Sequence, residues 1–575
     1  MDAPTPAIAT TPPHNLGLYR LEGFSGYREQ LLQLHEWLAG GDNRPAIAVS
    51  GSQGVGKTSL VTAAGWNHLR HFSDGVIRVS AAGGGRFRLY DVVRTIDSVF
   101  GAELTRTAPE RWGVSILEQL YRRKRLLIID KLAGATEEEL QTLVDIIGHL
   151  HETGGHARII LIDRNFSSAI ADLVQHQHIQ LEGLAAADLP TFIDRRAPPP
   201  GRDTALAHVD ELFTLSGGRP LNLRLLLGLL ADLPWPELAT LMGGNCDETG
   251  RVFTPALVAF AVENFAIFNP QAGPLLNRLV SASGGASDAA LRSLFWDGLG
   301  AVAELEATIE ALVARALLDH DRLRGRLVMH PLIRTYLEEN AVLLGEEWER
   351  SHARHYLQYA QEYQAVPLTR WPQVDVEWGN IYRGADWCVR RMAQIWGQAP
   401  IDLLRDKPID EQRITAPEAQ DPQRDDLRIV RDYGLALAHY AFWRHPPGIQ
   451  EWLAAGALAS LALADLRNYG VFLMNIGRQL FFHGEVEQAV HWLERAEAIF
   501  DPRDLLMELA YVLTDLGTAH RALKQERRAL RYFQGAFDCV AQSGNLEALA
   551  TAYMNLGSAY YAMNSIDRAL QEQRK

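Results

Sequence analysis

The stretch AIAVSGSQGVGKTSLVTAAG, residues 46–65, joins an apolar run to a glycine-rich loop and then to a helix-forming segment. Gly51, Gly56, Lys57 and Thr58 satisfy the pattern GxxxxGK[ST]. The apolar run predicts a buried strand and the residues after the loop predict a helix, which is the context that the pattern requires. A chance glycine-rich turn is the alternative, and it does not account for a strand and a helix in those positions. The sequence therefore predicts a phosphate-binding loop.

Each residue type in this loop has a physical role. Glycines allow backbone N–H groups to converge on a phosphate at the amino end of a helix. Lys57 is expected to reach the β- and γ-phosphate oxygens, and the hydroxyl of Thr58 is expected to bind Mg²⁺. The predicted ligands are ADP or ATP with Mg²⁺. The predicted nucleotide-binding residues of the loop are Gly51, Gln53, Gly54, Val55, Gly56, Lys57, Thr58 and Ser59.

A second apolar run, residues 126–129, ends at Asp130. An acid at the end of a neighbouring strand holds the metal in nucleotide-binding sheets, so Asp130 is predicted to bind Mg²⁺ together with Thr58. Its alternative role is to cap the following helix. Lys131 follows, where hydrolysing proteins of this architecture carry a second acid. Because a protonated lysine cannot act as a base, we predict slow or absent hydrolysis with nucleotide binding retained. The alternatives are that another acid takes over or that Lys131 faces solvent.

A third strand is predicted at residues 158–162. Arg164 follows its carboxyl end, which is the edge where ligands bind in open α/β sheets. Arg164 is therefore a candidate for sensing the γ-phosphate. A surface ion pair is the alternative role for this side chain.

Two further stretches flank these strands in the sequence. FSGYREQLLQL, residues 24–34, resembles an FxGRExEL element, with Tyr27 inserted before the arginine. TLSGGRPLNLRLLLGLL, residues 214–230, is similar to a GxPL motif, and Pro220 supplies its proline.

A third stretch, LLDHDRLRGRLVMHPLIRTYLEEN at residues 317–340, resembles the MHD motif of a winged helix. Met329 and His330 are retained and Pro331 stands in the Asp position. In this order, the motifs resemble those of STAND signalling ATPases of the NB-ARC type, a family of disease-resistance receptors, apoptosome activators and bacterial regulators. The resemblance covers residues 22–345.

The resemblance implies roles for four residues outside the loop. Phe24 and Arg28 would lie under the base, Pro220 would pack on adenine, and His330 would reach the β-phosphate of ADP. By the residues alone, Pro220 could be an ordinary first-turn proline and His330 an ordinary buried histidine. The family's fold is an α/β P-loop NTPase domain with a parallel sheet, then a small helical domain and a winged-helix domain.

Residues 431–575 carry a 40-residue repeat, with glycines at positions 477, 517 and 557 and alanines at 489, 529 and 569. The pattern resembles tetratricopeptide repeats, although those usually contain about 34 residues. A non-repeating helical bundle is the alternative. Because such solenoids have concave faces, we expect this region to sense an activating protein, peptide or small ligand. The last repeat stops in mid-unit, so we expect a longer natural chain with an effector beyond residue 575.

These patterns predict a multidomain α/β + α protein that ends in an all-α superhelix. The predicted regions are 1–21, a disordered tail; 22–184, the nucleotide-binding domain; 185–250, the small helical domain; 251–345, the winged-helix domain; 346–430, a helical arm with a polar loop near 399–426; and 431–575, the repeats.

Charge and composition restrict the partners. The net charge of −14 disfavours nucleic acid and anionic membranes. The three cysteines lie far apart without a CxxC pair, which argues against disulfides and structural zinc. The first twenty residues lack the apolar core of a signal peptide, and we find no membrane-length apolar run. We predict a cytoplasmic protein with no membrane partner.

Taken with the resemblance, these features predict a nucleotide-dependent signalling switch. ADP would hold a closed, autoinhibited state, and a ligand at the repeats would trigger exchange for ATP and self-association. Innate immunity is an expectation from the family alone. The alternatives are a transcriptional regulator of the same class, with its DNA-binding effector outside this chain, or a repeat scaffold with an inactive nucleotide pocket.

Overall fold

The computed structural model describes residues 11–17, 24–40, 44–80, 86–321, 325–340, 344–364, 367–406, 422–503, 505–563, 565, 568 and 571. The described residues fall into two compact units. The first contains the described residues up to Leu104, then Glu110–Glu346 and Asp375–Asn380, and the second contains Thr105–Pro109, Glu347–Val374 and the described residues from Ile381 onward.

A five-stranded parallel sheet forms the centre of the first unit. Its order is β2-β3-β4-β1-β5, so β1 lies between β4 and β5. Strands β1, β3 and β4 are buried because helices cover both faces of a parallel sheet. The strands are β1 (Ala46–Gly51), β2 (Gly75–Ser80), β3 (Arg125–Asp130), β4 (Arg158–Ile162) and β5 (His178–Leu181).

Helices alternate with these strands, as parallel connections require. Thr136 and Glu139 form a capping box that fixes the start of α5. The helices are α1 (Arg28–Ala39), α2 (Lys57–Asn67), α3 (Leu89–Phe100), α4 (Trp112–Leu120), α5 (Glu137–Thr153) and α6 (Ser168–Val174).

The predicted disordered tail is partly wrong. Residues 11–17 lie beside β2, where His14 forms a parallel bridge with Val76. The side chain of Asn15 exchanges two hydrogen bonds with the backbone of Arg78, and Leu16 is buried. Hydrogen bonds to the edge strand β2 therefore hold this proline-rich segment in place. The rest of residues 1–21 lies outside the described residues.

Five helices follow the sheet. The chain leaves α9 through Gly217 and Gly218, both with positive φ, and enters α10 at Pro220 in the first turn. Proline is suited to that position because a backbone N–H there would have no helical acceptor, and proline carries no N–H. The helices are α7 (Leu189–Arg196), α8 (Pro199–Ala207), α9 (Val209–Ser216), α10 (Pro220–Leu229) and α11 (Trp235–Gly243).

The last part of the first unit combines helices with a three-stranded antiparallel sheet of order β6-β8-β7. A π-helical turn, Leu291–Phe295, continues directly from α14. The elements are α12 (Thr254–Phe268), α13 (Ala272–Leu279), β6 (Ala286–Ser287), α14 (Asp288–Ala290), α15 (Val302–Ala314), β7 (Asp319–Asp321), β8 (Arg326–Val328) and α16 (Pro331–Asn340).

The next helices correct the predicted loop near residues 399–426. Both ends of that tract are helical, and only residues 407–421 lie outside the described residues. The prediction was wrong because it treated the prolines as loop residues. Pro400 and Pro422 instead each stand in the first turn of a helix, where proline is tolerated. The helices are α17 (Glu346–Glu362), α18 (Trp371–Trp396), α19 (Pro400–Asp406) and α20 (Pro422–Arg444).

The repeats form paired helices in the second unit. Helices α22, α24 and α26 begin at residues 466, 506 and 546, so the step is 40 residues, as the sequence predicts. The structure confirms the parallel sheet and the helical repeats that follow it. The helices are α21 (Ile449–Ala462), α22 (Leu466–Phe482), α23 (Val486–Phe500), α24 (Leu506–Ala522), α25 (Glu526–Ser543) and α26 (Leu546–Ala562). In the predicted incomplete last repeat, the segment after α26 lies mostly outside the described residues. Across the parts of the chain that the structure describes, every helix is too short or too polar to span a bilayer.

Candidate nucleotide-binding site

The glycine-rich loop connects β1 to α2 at the carboxyl edge of the sheet. Gly54 and Gly56 have φ values of 77° and 94°, which favour glycine. Helix α2 begins at Lys57, so Thr58 and Ser59 lie in its first turn, where backbone N–H groups lack helical acceptors. The predicted loop residues therefore form one continuous turn at a helix amino end, the arrangement that binds anions.

The two predicted metal ligands are in direct contact. The hydroxyl of Thr58 donates a hydrogen bond of 2.9 Å to Oδ2 of Asp130. Asp130 is buried at the end of β3, and Nη2 of Arg78 lies 3.7 Å from the same oxygen. Mg²⁺ prefers one or two protein oxygens together with water and phosphate. These two side chains fit that preference, and the described residues contain no richer cluster of metal-ligating groups.

Charged side chains from the ends of two strands, β3 and β4, surround Lys57. Its ammonium donates hydrogen bonds to the carbonyls of Gly51 and Ser52, at 2.7 and 2.8 Å. Burial lowers the pKa of Lys57, and the charges of two acids oppose that shift while two cations add to it. The acids are Asp130 and Asp163, and the cations are Arg164 and Lys131. The exposed Arg164 is thus brought within electrostatic reach of the phosphate loop.

Sequence analysis missed Asp163, which holds two strand ends together. Its carboxylate accepts hydrogen bonds from the backbone N–H of Leu132, at 3.0 Å, and of Arg164, at 2.6 Å. Lys131 lies between these anchors with a φ of 69°, and its N–H donates to the carbonyl of Ile162. The signal in the sequence was the position of Asp163, one residue after β4, which parallels Asp130 at the end of β3. Both oxygens of this carboxylate therefore already accept backbone N–H groups.

The segment before α1 contacts the phosphate loop through Tyr27, which the sequence identified only as an insertion in the FxGRExEL-like element. Tyr27 is buried, with a φ of 58°, and its hydroxyl donates a 2.5 Å hydrogen bond to the carbonyl of Val55. Burial, and then the charge of Asp188, raise the pKa of Tyr27. The ring of Phe24 lies 6.4 Å from that of Tyr27, whereas Arg28 is exposed at the first residue of α1.

The start of helix α10 also contacts the phosphate loop. The N–H of Leu221 donates a 3.2 Å hydrogen bond to the carbonyl of Gly54. A Cβ placed on Gly56 would lie 3.5 Å from Cγ of Pro220 and 3.4 Å from the ring of Tyr27. Pro220 and Tyr27 therefore flank Gly56, although 193 residues separate them in sequence (220 − 27).

His330 follows β8 and is partly buried. The backbone N–H of Leu332 donates to its Nδ1 at 3.2 Å, which assigns the proton of the neutral ring to Nε2. Burial lowers the pKa of His330 to about 4; Asp319 opposes the shift, while the positive charges of Arg224, Lys131 and Lys57 add to it. The histidine therefore lies in the same electrostatic environment as the loop lysine, and at pH 7 it presents a neutral Nε2–H donor.

No protein-family model matches the chain, and no curated protein matches it. Among solved structures, the chain is similar to a Signal Transduction ATPase with Numerous Domains (STAND) protein with a tetratricopeptide repeat sensor from Pyrococcus horikoshii. The identity is 15%, the alignment covers 97% of this chain and 83% of that one, and the TM-score is 0.48.

Two other solved structures are similar to parts of the chain. A Walker-type ATPase of Pyrococcus abyssi is 14% identical over 56% of this chain and 98% of its own, with a TM-score of 0.29. The tetratricopeptide-like repeats of a Podosopora anserina kinesin light chain are 15% identical over 39% of this chain and 93% of their own, with a TM-score of 0.25. At these identities no residue role carries over from those proteins to this chain.

Proposed function

We propose that this chain is an ADP- and ATP-binding signalling switch of the STAND type, with its repeats as the sensor. The observation that carries the proposal is the packing of two distant segments on one phosphate loop, with a third segment, at His330, within electrostatic range of Lys57. Tyr27 and Pro220 lie on Gly56, and the charge of Lys57 acts on His330. A site closed from several sides can couple ligand occupancy to domain arrangement, which a simple binding loop cannot do.

Each group has a defined task when a nucleotide binds. The loop N–H groups, Lys57 and Arg164 supply positive potential for the phosphates. The neutral imidazole of His330 donates its Nε2–H to a phosphate oxygen, and Pro220 packs on the base. Thr58 and Asp130 would hold Mg²⁺, which neutralises charge on the phosphates.

We propose that residues 251–345 form a winged-helix domain and that this domain moves when the switch changes state. The order of elements along the chain, which is α12, α13, β6, α14, α15 and the β7–β8 hairpin, supports this proposal. His330 comes two residues after the hairpin, so contact with a diphosphate would hold this region against the nucleotide. Activation at the repeats would release ADP, admit ATP and allow opened chains to self-associate, because each ligand favours a different arrangement.

Slow turnover suits a switch that must hold its nucleotide. Lys131 provides no base next to Asp130, and the carboxylate of Asp163 already accepts two backbone N–H groups. We therefore expect nucleotide exchange, rather than hydrolysis, to set the duration of each state.

The test is to denature the purified protein and identify the released nucleotide. We expect ADP in near-stoichiometric amount from the natural sequence. Lys57→Ala is the matched control and should release none, because each hydrogen bond to a charged phosphate contributes about 1.5–3 kcal/mol. Absence of nucleotide, together with an unchanged oligomeric state in Lys57→Ala, would contradict the switch and favour a repeat scaffold with an inactive pocket.

A further inference from the structure

One face of α10 carries a contact at every fourth residue. Pro220, Arg224 and Gly228 lie on the helix, and Asp232 lies in the turn that closes it. Residues four apart share one face of an α-helix. Pro220, at the amino end of this face, packs near Gly56 of the phosphate loop. The remaining three residues contact a single short segment of the first unit, residues 315–319.

The second residue of the face forms a two-pronged ion pair. Nη2 of Arg224 lies 2.6 Å from Oδ1 of Asp319, and Nη1 lies 3.4 Å from Oδ2. Both side chains are about one-quarter exposed or less. Asp319 is the first residue of β7 and pairs with Val328 of β8, two residues before His330. The ion pair therefore connects α10 to the hairpin that leads into the histidine.

The third and fourth residues of the face both meet Arg315. A Cβ placed on Gly228 would lie 2.6 Å from Cα of Arg315 and 2.9 Å from its carbonyl oxygen, so no side chain fits at position 228. The guanidinium of Arg315 donates to both carboxylate oxygens of Asp232, at 2.7 and 2.5 Å. It also lies 4.4 Å above the ring centre of Phe265. Backbone contact and ion pairing thus fix the same residue.

We infer that Arg224, Gly228 and Asp232, with Arg315 and Asp319, form a conformational lock, here named the α10 lock, which couples the phosphate loop to the position of His330. This inference rests on the proposed function and deepens it. Two-pronged arginine–carboxylate pairs need a defined geometry, so a shift of the 315–319 segment along α10 breaks both pairs together. A set of contacts that forms and breaks as a unit favours two discrete arrangements over intermediate ones, as a switch requires.

Gly228→Ala tests the lock without weakening the helix that bears it. Alanine is favoured over glycine inside a helix, so any loosening must come from the collision with Arg315. Gly148→Ala is the matched control, because Gly148 lies inside α5 with open space where its Cβ would be. The measurements are the release rate of fluorescent ADP from the full chain and hydrogen exchange of peptides covering 220–232 and 315–321.

We expect Gly228→Ala to release ADP about tenfold faster, equivalent to about 1.4 kcal/mol, and to exchange faster in both peptides. Gly148→Ala should match the natural sequence in both measurements. Unchanged release and unchanged exchange in Gly228→Ala would overturn the lock.

Exchanging the charges of Arg224 and Asp319 provides an independent test in case the Gly228→Ala variant does not fold. Arg224→Asp and Asp319→Arg should each accelerate ADP release, and the double variant should restore the slow rate. A double variant as fast as the single variants would also overturn the lock.

The outcomes separate the lock from the proposed function. If the natural sequence binds no ADP, the proposed function fails, and hydrogen exchange still reports whether the α10 contacts hold residues 315–321. If ADP binding depends on Lys57 but not on Gly228 or the Arg224–Asp319 pair, the lock fails and the switch stands.

Discussion

The phosphate site and the helical repeats both favour glycine at particular positions, but for different physical reasons. Gly56 has a φ of 94°, which favours glycine, whereas a Cβ there would make only ordinary contacts with Tyr27 and Pro220, at 3.4 and 3.5 Å. Gly517 lies inside α24, and a Cβ there would lie 2.6 Å from the ring of Phe533 in the next helix. The close contact in the repeats recurs one repeat earlier, where Gly477 faces Leu493.

This difference indicates how the two regions respond to change. In the repeats, sequence neighbours pack through apolar shape, so substitutions there should alter the free energy of unfolding. At the phosphate site, charged groups balance one another around a ligand, so substitutions there should alter affinity, pH dependence or turnover. Substitutions in each region test that separation.

The largest effect is expected for Gly517→Val. The ring of Phe533 is fully buried and cannot move aside, so the added side chain should destabilise the repeats by about 3 kcal/mol. Urea unfolding followed by circular dichroism measures this, and ADP affinity should not change. Gly535→Ala in α25 is the milder control, because its Cβ would meet only a side-chain carbon of Leu513, at 3.3 Å. Equal stability of the two variants would show that close helix contact does not stabilise the repeats.

His330→Gln should change how the stability of the nucleotide-free protein depends on pH. The folded pKa of about 4 lies below the ordinary value of 6.5, so the unfolded chain binds a proton first as the pH falls. The neutral ring therefore stabilises the fold fully above pH 6.5, and this contribution is lost between pH 6.5 and 4. Relative to His330→Gln, the natural sequence should lose about 2 kcal/mol over that window, after allowance for partial exposure.

Thermal unfolding of both proteins at several pH values between 4 and 7 measures this difference. His176→Gln removes an exposed imidazole and serves as the control. Parallel stability profiles for the natural sequence and His330→Gln would show that the histidine does not lie in a buried, cationic environment.

Local patterns were sufficient to predict the strands that form the phosphate site. Apolar runs ending at a loop or an acid identified β1, β3 and β4, and the 40-residue step identified the paired helices of the repeats. The disordered tail was wrong because the pairing of His14 with Val76 spans 62 residues (76 − 14), and no local pattern encodes it. Proline-rich sequence was likewise a poor guide near residues 399–426, since a first-turn proline begins helices as readily as it interrupts them.

The site itself was predictable only where its residues are close in sequence. The loop motif specifies its own glycines, lysine and threonine. Tyr27 escaped notice because its role depends on a left-handed backbone and on a carbonyl 28 residues away. The pairing of Arg224 with Asp319 spans 95 residues and depends on how α10 lies against the hairpin. Such contacts belong to tertiary packing and have no signature in one sequence.

Lys131→Glu should increase single-turnover ATP hydrolysis by about tenfold, a modest fraction of what a well-placed base contributes. The substitution places an acid directly after Asp130 and removes one positive charge that acts on both Lys57 and His330. Lys131→Gln removes the same charge without adding a base, and it should not accelerate hydrolysis. Equal rates for the natural sequence and Lys131→Glu would refute the role given to this lysine.

The smallest effect is expected for Tyr27→Phe. The substitution keeps the ring against Gly56 and removes only the hydroxyl that donates to Val55. One buried hydrogen bond contributes about 1 kcal/mol, so ADP affinity should fall about fivefold if the bond holds the loop in its binding shape. Titration with fluorescent ADP measures this loss, and urea unfolding of the same variant measures the change in stability.

The two readouts distinguish positioning from simple packing. A bond that only stabilises the fold would lower the free energy of unfolding and leave the affinity of the folded protein unchanged. A bond that positions the loop lowers affinity in protein that remains fully folded. Tyr336→Phe is the matched control: it removes an exposed hydroxyl that donates to Glu263 in α12, away from the loop, and should leave ADP affinity unchanged. If Tyr27→Phe binds ADP as tightly as that control, then the tyrosine ring packs against Gly56 without positioning the loop. Its role would then be packing alone, like that of Phe533 against Gly517 in the repeats.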